Sequence, residues 1–296
     1  MSEINKVTIV GGTHGNEFTG VYLVKKWQQQ PAEVTRSSFT TSTLWANPKA
    51  HEQNKRYCDQ DLNRQFTRAQ LDDVNLVGYE QSRAKIIDAE LGPKGDAKCD
   101  FVIDLHTTTS NMGPCLLLTQ QGKIYRQLAA YVKMQMPEAV IFRDEDHLSA
   151  AQHHLLATVG TYGVIVEVGP VPQSVIRQDV LEQSAELTRH ILDFIEHCNL
   201  GTLPTLPQQV EGYRYLESIK LPVDANGQRL GMVHNHVQDN DFKPLHPGDP
   251  LFMTFAGETI TYQGADTVYP AFINEAAYYD NNLAMSLLEK VVIDVE

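Results

Sequence analysis

From Val7 to about His197, short β-branched apolar runs alternate with longer amphipathic segments, and few folds other than a sheet flanked by helices satisfy that alternation. The segments Val7–Val10, Phe39–Trp45, Phe101–Leu105, Cys115–Thr119, Ala139–Phe142 and Val164–Val168 read as strands. Phe18–Gln30, Gly78–Leu91, Gly122–Met136 and Val175–His197 read as helices. Strands that are apolar along their whole length imply burial on both faces, so a parallel or mixed sheet is expected. Near Asn199 the texture changes. The stretch GTLPTLPQQ carries prolines, and the residues after it give short strands broken by turn signals such as Asn226-Gly227 and Pro247-Gly248. The expected organisation is a catalytic α/β domain over residues 1–205 and a smaller β-rich domain over 206–296.

Composition narrows the partners. With 296 residues, 42% hydrophobic and 21% charged, the chain has ordinary globular usage. Its formal charge of −13 argues against nucleic acid or an anionic membrane, because both need a basic surface. An anionic substrate would then depend on a few locally placed arginines. The cysteines Cys58, Cys99, Cys115 and Cys198 have no CxxC spacing, and the first residues lack a signal-like pattern, which points to a cytoplasmic setting. No apolar run approaches the roughly 18 residues of a membrane span.

Four segments carry groups able to do chemistry. After the first strand, Gly11 to Glu17 reads GGTHGNE, which fits neither a dinucleotide fingerprint nor a phosphate loop with its lysine. It does offer His14 and Glu17, donors suited to zinc, although such spacing also arises by chance. In FVIDLHTTTSNMG the strand ends at His106, where a sheet of this class lines its ligand crevice, and Asp104 lies two residues earlier on the same side, placed to orient a histidine. By itself this segment reads equally as a capped strand. Glu167 interrupts the apolar run Val164–Val168, so it is either a proton-transfer group or a buried carboxylate satisfied by a salt bridge. RYCDQDLNRQF packs Arg56, Asp61, Asn63 and Arg64 together, either as a solvated turn or as the cations that an oxyanion and a carboxylate require.

Taken together, GGTHGNEFTG, Asn47-Pro48, DLNR, LGPK, DLHTTTSNMG, EVGPVPQ, QDNDFKPLHPGDP and TVYPAFINEAAYY resemble the aspartoacylase branch of the aspartoacylase and succinylglutamate desuccinylase family, related to zinc carboxypeptidases. The resemblance runs almost end to end. It implies a zinc carboxypeptidase-like mixed sheet with a β-rich C-terminal domain, and one Zn2+ per chain held by His14, Glu17 and His106. It makes Glu167 the general base and later acid, and Arg56 the group that polarises the scissile carbonyl. Asn63 and Arg64 would hold the substrate's α-carboxylate, and Tyr278, with Glu275 nearby, would complete the pocket. The implied reaction is hydrolysis of an N-acyl amino acid, N-acetyl-L-aspartate first, with other N-acyl amino acids, including aromatic ones, as the alternative. A non-catalytic binding protein on the same scaffold is the rival from another class. By analogy with relatives that are often dimeric, a homo-oligomer is expected.

The chain departs from the family pattern at the side-chain pocket. Mammalian aspartoacylases carry an arginine ten residues before the catalytic glutamate for the substrate's β-carboxylate, and here that position is Ala157. His153 stands where tyrosine is usual, and Thr107 where asparagine is usual after His106.

Overall fold

The structure is a computed structural model that describes residues 3–144, 148–149 and 151–296. The chain begins with β1 (Lys6–Gly11), α1 (Phe18–Gln29), β2 (Thr40–Trp45), α2 (Pro48–Glu52), α3 (Arg68–Asp72), α4 (Tyr79–Leu91) and β3 (Phe101–Thr107). It continues through β4 (Gly113–Leu118), α5 (Lys123–Gln135), β5 (Val140–Arg143), β6 (Tyr162–Gly169) and α6 (Gln178–Leu200). The C-terminal part contributes β7 (Gln209–Lys220), β8 (Gly231–Val233), β9 (Pro250–Thr254), β10 (Thr259–Thr261), β11 (Tyr269–Ala271) and β12 (Leu283–Asp294).

One nine-stranded sheet, in the order β11-β12-β7-β5-β4-β6-β3-β1-β2, organises the molecule. β1, β2, β3 and β6 are mutually parallel, whereas β4 runs antiparallel to β6. The mixed sheet matches the expectation. The apolar runs that marked β1, β3 and β6 are buried along nearly their whole length, as parallel strands covered by helices must be.

The helices differ at their ends in understandable ways. α6 begins at Gln178 and not at Val175, because Ser174 adopts φ 65° and donates its N–H to the carbonyl of Asn16. At its other end α6 runs on to Leu200, where Gly201 takes the left-handed conformation that terminates it.

After the change of texture the chain does not leave the sheet. β7 pairs with β5, β12 pairs along β7, and β11 adds to β12, while β8, β9 and β10 form a separate small antiparallel sheet. The C-terminal part is β-rich, as expected, and it is continuous with the catalytic sheet. No described helix is long and apolar enough to cross a membrane.

Candidate active site

Three neighbouring strands deliver the chemistry at their carboxyl ends, the edge where open α/β sheets place ligands. β1 ends at Gly11, and the chain turns through Gly12 at φ 69° into the loop bearing His14 and Glu17. Gly15 is required for a different reason: a Cβ there would lie 2.3 Å from the backbone of Ala50 and His51. β3 carries His106 and β6 carries Glu167, and these two residues are registered partners across the ladder.

His14, Glu17 and His106 are all buried, and one ligand atom from each lies within 4.8 Å of the others. The orientation of the two imidazoles decides what they can hold. His106 Nε2 is 2.8 Å from Asp104 Oδ2, and His14 Nε2 is 3.0 Å from Asp61 Oδ1, so each carboxylate takes the proton of the nitrogen facing it. Both Nδ1 atoms therefore face inward, 3.1 Å apart, with Glu17 oxygens 2.6 Å from His14 Nδ1 and 3.0 Å from His106 Nδ1. Two nitrogens and a carboxylate packed this closely require positive charge, supplied either by protons on the imidazoles or by a metal ion that takes their place. Two imidazole nitrogens and one carboxylate are a donor set that suits zinc. Burial raises the Glu17 carboxyl, but the histidines outweigh it and hold the group well below the ordinary carboxylate range.

Thr13 Oγ1 donates to Asp104 at 2.7 Å, fixing the carboxylate that orients His106. Thr107 gives its backbone N–H to Glu17 at 3.1 Å. A backbone donor makes the departure from asparagine there harmless to Glu17.

Glu167 is 7% exposed. Burial pushes its carboxyl well above the ordinary range, with Glu17 and Glu275 adding to the rise against the opposing charges of His106 and Arg56. A buried acid raised in this way beside a cation site is suited to accept and return a proton.

The segment between α2 and α3 forms the cationic wall. Arg56 is gripped by Asp61 through Nε at 3.1 Å and Nη2 at 3.0 Å, and its Nη1 lies 3.4 Å from Glu17. Its guanidinium also lies 6.0 Å from the centre of the Tyr278 ring. Asp61 thus joins His14 to Arg56, a role the sequence did not single out although the residue opens the DLNR motif. Asn63 Nδ2 lies 3.4 Å from His106 Nε2, its Oδ1 accepts from the Leu156 N–H at 2.7 Å, and its carbonyl accepts from Arg64 Nη1 at 2.8 Å. Glu275 accepts from Thr109 N at 2.7 Å and from the Thr108 and Thr109 hydroxyls, which fastens the β3–β4 loop to the C-terminal turn carrying Tyr278.

His14, Glu17, Arg56, Asn63, Arg64, His106, Glu167 and Tyr278 all line one cavity of ≈ 60 Å³. Thr107, Thr108, Glu275 and Ala277 line it too, as do Leu117, Leu155, Ile165, Phe272 and Asp144, and none of these last five was picked out from the sequence. Apolar wall residues look like core residues until the fold is known. Phe272 sits at φ 53°, an uncommon conformation for a bulky side chain, in the turn that ends at Glu275. Ala157 and His153 are fully buried and lie outside the cavity lining, while Arg143 lines a separate hollow with Tyr125 and Arg126.

Comparison with known proteins places the chain in a family. The family model described as the succinylglutamate desuccinylase/aspartoacylase catalytic domain matches residues 3–195, and the AstE/AspA barrel-sandwich hybrid domain matches residues 208–290. The chain belongs to the succinylglutamate desuccinylase/aspartoacylase family. As a member of this family it is an enzyme. It is 41% identical to a probable aspartoacylase of Trichodesmium erythraeum, over 100% of both chains. It is also 40% identical to the human N-acyl-aromatic-L-amino acid amidohydrolase (carboxylate-forming), over 99% of this chain and 92% of that one. Among solved structures, murine aminoacylase 3 superposes with a TM-score of 0.94 at 39% identity, covering 100% of this chain and 98% of that one.

Proposed function

We propose that this family member hydrolyses the amide bond of N-acyl-L-amino acids with one zinc ion held by His14, Glu17 and His106. The observation that carries the reading is the inward convergence of the two Nδ1 atoms and the Glu17 carboxylate, with Glu167 and two arginines lining the same cavity. When bound, zinc supplies Lewis acidity to an attacking water and to the scissile carbonyl. Glu167 takes a proton from that water and returns it to the departing amine, so one carboxyl acts as base and then as acid. Arg56, held rigid by Asp61, offers its guanidinium to the developing oxyanion. Arg64 and the Asn63 amide hold the α-carboxylate, and Tyr278 closes the cavity from the 206–296 unit, with 1–205 as the catalytic unit. The proposed setting is cytoplasmic, and a homo-oligomer belongs to the same proposal.

The side chain is the finer question. N-acetyl-L-aspartate, the first substrate implied by the resemblance, brings a second carboxylate that needs its own cation. Among the described residues the arginines of the cavity are Arg56 and Arg64, both already engaged in this reading. The remaining wall is Leu117, Leu155, Ile165 and Phe272, which share one apolar cluster with Ala157, together with Thr107, Thr108 and Ala277, while Asp144 and Glu275 add carboxylates and no cation. This environment supports an apolar or aromatic side chain better than aspartate. Amine release from zinc-loaded protein tests it with N-acetyl-L-phenylalanine, N-acetyl-L-tyrosine, N-acetyl-L-aspartate and N-succinyl-L-glutamate. We expect kcat/KM for the aromatic substrates to exceed that for N-acetyl-L-aspartate by about tenfold or more, the scale set by one missing charge-assisted hydrogen bond. The reverse order would restore aspartate as the substrate, and no release from any of them would remove the deacylase reading.

A further inference from the structure

Lys94 is a buried cation that the chemistry above does not use. It follows α4 and is 6% exposed. Its ammonium donates to the carbonyl of Phe66 at 2.9 Å, the carbonyl of His153 at 2.6 Å and the hydroxyl of Thr158 at 2.7 Å. All three acceptors are neutral. Among the described residues no carboxylate forms an ion pair with Lys94; the nearby Asp88 accepts from its backbone N–H at 2.8 Å instead. Burial lowers the ammonium to about 8, against a smaller opposing pull from Asp88.

The acceptors belong to two segments that meet at the cavity. Phe66 closes the stretch 61–66, which carries Asn63 and Arg64. His153 and Thr158 bracket the stretch that carries Leu155, a cavity wall, and Leu156, whose N–H holds Asn63 Oδ1 at 2.7 Å. Phe66 N donates to the carbonyl of His154 at 3.2 Å, so the ammonium is a third tie beside these two. Taking an ammonium out of water costs more than burying a thioether of similar length, so fold stability alone is a poor reason for a lysine here.

We propose that Lys94 is a positioning residue that sets the spacing between the Asn63–Arg64 clamp and the cavity wall at Leu155, and thereby the affinity for the substrate's α-carboxylate. This rests on the deacylase reading for what the clamp binds, whereas the tie between the segments is independent of it.

Lys94→Met tests the proposal, because it keeps the length and removes every donor. We expect KM for N-acetyl-L-phenylalanine and N-acetyl-L-alanine to rise together by about tenfold, as loss of a charged hydrogen-bond donor implies, with bound zinc unchanged. kcat should stay within about threefold, since the effect is on ground-state binding. A lower melting temperature with KM unchanged, or a fall in kcat with KM unchanged, would overturn it. Should Lys94→Met not fold, Lys94→Gln decides: it is shorter and uncharged and leaves the Thr158 hydroxyl its bond to the Leu155 carbonyl at 2.7 Å, and unchanged KM again overturns the proposal while a raised KM with steady kcat supports it. If the wild-type protein releases no amine from any N-acyl amino acid, the deacylase reading fails separately. Amide exchange then judges Lys94: exchange faster by about tenfold confined to Phe66 and Leu156 supports the tie, and uniform or absent acceleration refutes it.

Discussion

His106 and Glu167 face each other as registered partners on the adjacent parallel strands β3 and β6. The candidate metal ligand and the candidate proton acceptor are therefore spaced by ladder hydrogen bonds and not by loops. A sheet holds such a distance more tightly than a loop can, and catalysis is sensitive to displacements of an ångström.

Replacing Glu167 with glutamine keeps the shape and removes the basic oxygen. Turnover should fall on the order of 10²-fold or more while zinc content stays at that of the wild type. Near-normal kcat in a pure, zinc-replete preparation would make Glu167 structural.

His106→Ala leaves Glu17 and His14 as an incomplete donor set and frees Asp104, which is fully buried. Elemental analysis should find the variant without bound zinc where the wild type holds about one per chain, and amine release should disappear with the metal. Retained zinc at wild-type stoichiometry would place the ion elsewhere.

Arg64→Ala removes the charge assigned to the α-carboxylate, a group every N-acyl amino acid shares. KM should therefore rise by a similar factor for phenylalanine, alanine and aspartate derivatives, by roughly 10-fold or more. A loss confined to N-acetyl-L-aspartate would assign Arg64 to the side chain instead.

Asp241 provides a pH signature of stability. Burial raises its carboxyl to about 7, the Ile273 N–H on Oδ1 opposes this weakly at 3.2 Å, and Oδ2 has no hydrogen-bond partner among the described residues. Because the folded group binds its proton more tightly than an ordinary carboxyl near 3.8, its contribution is full below about pH 4 and is lost as pH rises through about 7. Asp241→Asn should therefore be more stable than wild type at pH 8 by on the order of a few kcal/mol, and the difference should vanish near pH 4. Denaturant midpoints at the two pH values check this, and a pH-independent difference would contradict it.

Much of this site was legible before the fold because buried parallel strands read as apolar runs, against which Asp104, His106 and Glu167 stand out. The pairing of those strands was not legible. Nothing local told that β4 would run antiparallel to β6, or that β7 would join β5. Leu117, Leu155 and Ile165 carry no mark that separates a cavity wall from core, and Lys94, at the end of the LGPK segment, carries none that tells of its burial. The sequence shows that Ala157 stands where mammalian aspartoacylases carry an arginine, but not that the position is fully buried in packed core, which an arginine there would have to displace.

The most direct test of zinc-dependent deacylation is the rate of amine release from N-acetyl-L-phenylalanine by protein stripped of metal and then titrated with zinc. A single catalytic zinc predicts no turnover in the stripped protein and full recovery at about one equivalent per chain, with His106→Ala showing none at any ratio. Undiminished turnover in the stripped protein would contradict it.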